Sequence, residues 1–299
     1  MHVVSSTQFD RSFLDSLFGR AAALTAVRDS RLGGRIMASL FYEPSTRTRL
    51  SFESAMLRLG GSVIGTEAAR EFSSAIKGET LEDTIRMAAT YADVIVLRHD
   101  EAGAASRAAA VSTVPVINAG DGPGEHPTQS LFDLYTIDRE LKRIEGLHVA
   151  LCGDLRYGRT ARSLALLLSL YPGVSLTFVA PEAVQIGDDV TACLDHRCVP
   201  YTLTDRLAGV LGGVDVIYQT RIQRERFADP AELERARGAI RIDAGVMAEL
   251  PPGAIVLHPL PRVDEVGAEV DADPRAAYFR QAANGVAIRM ALLELVLTA

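Results

Sequence analysis

The chain has 299 residues, of which 48% are hydrophobic and 23% charged, with a formal net charge of −7. This gives room for two ordinary domains with the composition of a soluble globular protein. The negative balance excludes an extended nucleic-acid surface, and no apolar stretch is long enough to cross a bilayer as a helix. Residues Met1 to Asp10 carry neither a basic n-region nor an apolar h-region, so a cytoplasmic location is expected.

The first strong element is the apolar run Ile36–Tyr42, of strand length. Ser45-Thr46-Arg47-Thr48-Arg49 follows, and then Phe52, Met56 and Leu59 recur at helical spacing until Gly60-Gly61. Three hydroxyls and two guanidinium groups therefore stand at a strand-to-helix turn. Free backbone N–H groups and the helix dipole favour an anion there. Two arginines in a first helical turn oppose that dipole unless an anion compensates them. The stretch reads as a phosphate nest strengthened by charge-assisted hydrogen bonds.

The next polar loop, Phe72–Glu79, contains Lys77. Of 31 basic residues only Lys77 and Lys142 are lysine. Lys142 lies in a charged helical stretch and reads as surface, whereas a lysine kept in a loop suits a role needing a compact ammonium.

Further strands are predicted at 92–98, 114–119, 147–153, 174–180, 214–219 and 254–258. A helix is expected from near Thr128 through Lys142-Arg143, and a C-terminal one over Tyr278–Leu297 with Val286, Met290, Leu293 and Leu297 on one face. Near-continuous apolar strands alternating with helices predict an α/β protein. Two similar-sized domains are expected, each a parallel β-sheet flanked by helices, linked by interdomain helices. They span 1–135, joined by the C-terminal helix 278–299, and 136–277.

The conspicuous polar residues follow strand ends, where open parallel sheets bind ligands. They include Arg98, then His126 and Gln129, then Arg159 in Gly153–Thr160, then Arg221, Gln223, Arg224 and Arg226, and finally His258-Pro259-Leu260-Pro261-Arg262. Gly153–Thr160 lacks the G-x-G-x-x-G spacing, so a dinucleotide is not expected. Cys193 and Cys198 flank Asp195-His196 in no common zinc pattern and read as a solvated helix end. There is no Ser-His-Asp order, no carboxylate pair and no metal triad. No cofactor and no metal are expected. A crevice rich in cations and donors but poor in bases works by positioning and by stabilising charge.

Taken together, Ser45–Arg49, His126-Pro127-Thr128-Gln129, Gly153–Thr160 and His258–Arg262 resemble the aspartate/ornithine carbamoyltransferase family, in order over nearly the whole chain. Thr220–Arg226 and the His-Pro-Leu-Pro-Arg segment resemble its aspartate branch. The Ser-Met-Gly loop and His-Cys-Leu-Pro motif of the ornithine branch are absent. The resemblance implies a transferase of one-carbon groups that moves the carbamoyl group of carbamoyl phosphate to the α-amine of L-aspartate, in pyrimidine synthesis. It implies that 1–135 binds carbamoyl phosphate and 136–277 binds aspartate.

By resemblance, Ser45, Thr46, Arg47 and Thr48 bind the phosphate, while Thr48, Arg98 and His126 surround the carbamoyl oxygen and Gln129 holds the carbamoyl amide. Arg159, Arg221 and Gln223 take the aspartate carboxylates, and the Leu260 and Pro261 backbone completes the site. Ser73 and Lys77 match a loop that enters a neighbouring subunit's site and reaches both substrates, which implies a homotrimer with shared active sites. A regulatory chain or a dihydroorotase are the further partners the family allows, with no membrane or nucleic acid. Ile76 and Glu125 stand where relatives often carry Lys and Gln, and both are expected to alter pocket charge. The competing readings are a carbamoyltransferase for another amino acid and a catalytically silent homologue serving as an assembly subunit.

Overall fold

Val-, Ile- and Leu-rich runs build two parallel sheets in a computed structural model that describes residues 1–67, 78–223 and 240–298. The chain divides into two units, Met1–Leu131 with Ala283–Ala299, and Phe132–Ala282. Lys77, Ser73, Ile76, Arg224 and Arg226 lie outside the described residues.

In the first unit the sheet order is β2-β1-β3-β4. The strands are β1 (Ile36–Phe41), β2 (Ser62–Glu67), β3 (Val94–His99) and β4 (Val116–Asp121). Alternation along β1 sends Ala38 and Leu40 to one face. There they join Ile85 and Ala88 of α3 (Leu81–Tyr91) and Ala104 and Ala108 of α4 (Ala104–Val111) in one apolar cluster. Helices α1 (Arg11–Leu24) and α2 (Thr46–Arg58) bury Leu14, Leu17, Phe52 and Met56 completely. Full burial of each such side chain contributes about 1.5–3 kcal/mol.

The second unit has the order β7-β6-β5-β8-β9. Its strands are β5 (His148–Cys152), β6 (Ser175–Val179), β7 (Tyr201–Thr204), β8 (Val216–Gln219) and β9 (Ile255–Leu257). Ala150, Ile217 and Val256 pack with Met247 of α8 (Ala244–Glu249) and with Tyr278. Among the described residues the remaining α-helices are α5 (Pro127–Leu141), α6 (Arg159–Leu168), α7 (Asp188–His196) and α9 (Tyr278–Thr298), of which α5 and α9 each run from one unit into the other.

Two strands depart from the sequence expectation. β2 and β7 are the outer strands of their sheets, and their residues are half-buried or exposed, so neither forms a continuous apolar run. Gly65 of β2 has a packing reason: a Cβ there would stand 2.3 Å from the Ser39 carbonyl oxygen. Among the described residues no helix is long and apolar enough to cross a membrane.

Candidate active site

Each sheet has one point where successive connections leave in opposite directions, and ligands bind outside such points in open α/β sheets. In the first unit it lies between β1 and β3, where Phe41 stands opposite Arg98. In the second it lies between β5 and β8, where Cys152 stands opposite Gln219. Ser45–Thr48 and Arg98 follow or end the two strands at the first point, and Arg159, Arg221 and Gln223 follow those at the second, whereas His126 and Gln129 follow β4, and Leu260 and Pro261 follow β9.

In the first unit, Ser45 is the N-cap of α2 but makes no side-chain cap bond, and the first turn has no acidic residue. The amides at that helix start thus keep their attraction for an anion. Thr46 and Arg47 are exposed, Ser45 is half-buried and Thr48 is buried. Arg49 turns elsewhere: its guanidinium binds Glu53 at 2.8 Å and also Glu67, and these carboxylates raise its pKa. It is a brace between α2 and β2.

Arg98 is only 9% exposed; it donates to the Ala119 carbonyl at 3.1 Å and pairs with Glu43 at 2.7 Å. A cation so enclosed needs such partners to offset its lost hydration. His126 and Gln129 are buried, and the Thr128 hydroxyl stands 3.4 Å from His126 Nδ1. Glu125 is half-buried and faces the N-terminal segment. Its carboxylate accepts the Ser5 hydroxyl at 2.5 Å and the Ser6 amide at 2.6 Å. It anchors the N-terminal segment, whose Val3 bridges to Ile117 of β4.

In the second unit, Gly153 follows β5 with φ +104°, and a Cβ there would meet the Thr220 carbonyl oxygen at 2.2 Å. Only glycine permits this approach of the two strand-end loops. Fully buried Asp154 then ties them together, accepting the Tyr157 amide at 2.9 Å and the Gln223 amide at 3.2 Å. The Gln223 side chain donates to the Tyr157 carbonyl at 2.7 Å. Arg159 opens α6, whose first turn also lacks acidic residues, and Arg221 lies half-buried on the adjoining loop.

Leu260 and Pro261 follow β9 on a turn held at its far end by Arg262. That guanidinium binds Asp271 and the Tyr278 hydroxyl, and lies 5.3 Å from the Tyr278 ring centre. Asp133, fully buried in α5, accepts the Tyr218 hydroxyl at 2.7 Å and the Gln281 amide at 2.6 Å. Burial, first, and then the Asp133 charge push the Tyr218 pKa well up. Sequence reasoning assigned nothing to Asp133. Its signal was a carboxylate inside the apolar helical run Leu131-Phe132-Asp133-Leu134-Tyr135.

Comparison with known proteins agrees with this geometry. Residues 1–139 match the carbamoyl-P binding domain of aspartate/ornithine carbamoyltransferases, and residues 145–296 match the Asp/Orn binding domain. The chain belongs to the aspartate/ornithine carbamoyltransferase family.

Among members of this carbamoyltransferase family, it is 56% identical to the chloroplastic aspartate carbamoyltransferase of Arabidopsis thaliana, over 99% of this chain and 77% of that one. It is 52% identical to the aspartate carbamoyltransferase catalytic subunit of Methanocella arvoryzae, over 99% and 97%. Its fold matches Trypanosoma cruzi aspartate transcarbamoylase in complex with carbamoyl phosphate and aspartate. That match has a TM-score of 0.94 and 44% identity, covering 99% of this chain and 96% of the other.

Proposed function

We propose that the chain transfers the carbamoyl group of carbamoyl phosphate to the α-amine of L-aspartate. The products are N-carbamoyl-L-aspartate and phosphate, a step of pyrimidine synthesis. The observation that carries this reading is the start of α2, where Ser45, Thr46, Arg47 and Thr48 meet a helix N-terminus free of acidic residues. Such a start suits a phosphate dianion. Solved relatives hold carbamoyl phosphate with aspartate, and carbamoyl aspartate with phosphate.

In this reading Ser45–Thr48 hold the phosphate, while Thr48, Arg98 and His126 donate to the carbamoyl oxygen. Gln129 takes the carbamoyl amide. Arg159, Arg221 and Gln223 bind the acceptor's carboxylates, with the Leu260 and Pro261 backbone beside them. The neutral amine attacks the carbamoyl carbon, and negative charge grows on the carbamoyl oxygen. Donors fixed around that oxygen lower the barrier. The carbon–oxygen bond to phosphate then breaks, and the departing phosphate accepts the amine proton. No protein base is required.

We further propose a cytoplasmic homotrimer in which Ser73 and Lys77 complete a neighbour's site. The relatives named catalytic subunits support an assembly. Mixing inactive Lys77→Ala and Arg47→Ala subunits tests it: activity should return on subunit exchange, and none returning despite proven exchange counts against sharing.

The reaction itself is tested by supplying carbamoyl phosphate with aspartate, ornithine and related amines to the purified protein. Carbamoyl aspartate is the expected product. Preference for another amine would reassign the acceptor, and no product under saturating substrates would favour a silent assembly subunit.

A further inference from the structure

The turn after β9 is wired from inside the second unit. His258 is 1% exposed. Its backbone amide donates to Gln281 Oε1 at 2.9 Å, and Gln281 passes the link to Asp133. Its ring Nδ1 accepts the Leu260 amide at 2.8 Å, and its Nε2 stands 2.8 Å from Glu265 Oε1. Glu265 is buried and also accepts the amides of Val263, at 3.2 Å, and of Asp264, at 3.1 Å.

A nitrogen that accepts an amide hydrogen must offer a lone pair. The His258 proton therefore resides on Nε2, where it is donated to the Glu265 carboxylate. The ring is locked at both nitrogens, and the chain on either side of it is locked as well. What it holds is unusual: Leu260 has φ +54°, a left-handed conformation. For a residue with a side chain this conformation is strained and persists only when the surroundings enforce it.

We infer that His258 is a positioning residue for acceptor binding. It holds the Leu260–Pro261 backbone through Nδ1, while Glu265 fixes its ring at Nε2 and the Asp133–Gln281 link fixes its own backbone amide. This inference rests on the reading that the Leu260–Pro261 backbone takes part in binding aspartate. It assigns His258 no contact with substrate. A similar device follows β3, where His99 Nδ1 accepts the Glu101 amide at 3.0 Å.

Two substitutions separate the ring's two bonds. Asn Oδ1 can accept the amide two residues on, as in an Asx turn, whereas Gln reaches towards Glu265 and leaves the Leu260 amide unmet. His258→Gln is expected to raise the KM for aspartate about tenfold, as loss of one buried hydrogen bond does. The KM for carbamoyl phosphate should move less than about twofold, and His258→Asn should recover most of the loss. Equal defects in both variants, or a matching rise for carbamoyl phosphate, would overturn the inference.

Nitrogen NMR of the six histidines reads the same arrangement in the wild-type protein, whether or not the variants fold. A neutral His258 ring protonated on Nε2 is expected. A ring protonated on Nδ1 at neutral pH would overturn the inference. Wild-type protein that makes no carbamoyl aspartate would refute the substrate assignment instead, and the NMR result would still decide the hydrogen bonding.

Discussion

The two strand-end sites are built differently. In the first unit the groups meant for the phosphate lie along one helix start, where Ser45 forms no side-chain cap and the neighbouring Arg49 turns away to Glu53 and Glu67. In the second unit only Arg159 stands at a helix start; Arg221, Gln223, Leu260 and Pro261 sit on loops, and buried acceptors set the backbone there. Asp154 holds Gln223, and His258 holds Leu260. A helix start presents several donors through its own regular geometry. A loop has no such internal order, so side chains from the core must supply it. Damage should therefore be local in the first unit and transmitted in the second.

Arg47→Ala should break the first site most sharply, lowering kcat by about 10²–10³ because it removes a donor from the departing phosphate, whose charge grows in the transition state, with little change in the denaturant midpoint because Arg47 is exposed. Steady-state kinetics beside an unfolding curve checks both halves. A comparable fall in stability would mean that Arg47 is part of the scaffold.

Arg221→Ala should act on the acceptor alone, raising the KM for aspartate by about 10–100-fold, the range for a hydrogen bond to a charged group. An equal rise for carbamoyl phosphate would erase the division of labour between the units.

Tyr218→Phe should show transmission. It removes a donor from the buried Asp133 carboxylate, so stability should fall by about 1–3 kcal/mol. The KM for aspartate should rise with it, while that for carbamoyl phosphate holds. Urea unfolding and kinetics on the same preparation read this.

The Glu265 carboxyl sharpens the comparison through pH. Burial raises its pKa, but the His258 hydrogen bond and the backbone N–H groups outweigh burial and hold it below the ordinary 4.5. A depressed carboxyl stabilises the fold above the ordinary value and loses that contribution as pH falls through the folded value. Wild-type stability should thus decline in acid below about pH 4.5, and Glu265→Gln should decline less steeply. Parallel acid profiles would show that Glu265 is not a linked group.

Glu125→Gln should have the smallest effect, about 1 kcal/mol from weakened bonds to Ser5 and Ser6, with faster amide exchange at Ser6. Unchanged exchange would free the N-terminal segment from this anchor.

These contrasts also explain what the sequence could reveal. The central strands were legible because cover on both faces demands continuous apolar runs. Edge strands β2 and β7 escaped because one-sided cover leaves mixed residues such as Thr202 and Gly65. The residues at strand ends were visible as charges interrupting apolar runs. The partners that set them were not, because the links are distant in sequence: Glu125 meets Ser5, and Asp133 meets Gln281. Glu125 was expected to alter pocket charge, and its bonds to Ser5 and Ser6 near the start of the chain were not foreseen. Nothing local marks which of two acids will be buried, apart from the apolar neighbours of Asp133.

The Val3 bridge has one more consequence. β4 is the last strand of its sheet, and the Val3 amide donates to Val116 while its carbonyl accepts from the Asn118 amide, at 2.8 Å each. An open edge would invite a strand from another molecule, the usual beginning of aggregation. The first residues cover that edge, and Glu125 keeps them in place. Trimming them should change how the protein behaves at high concentration before it changes what it catalyses.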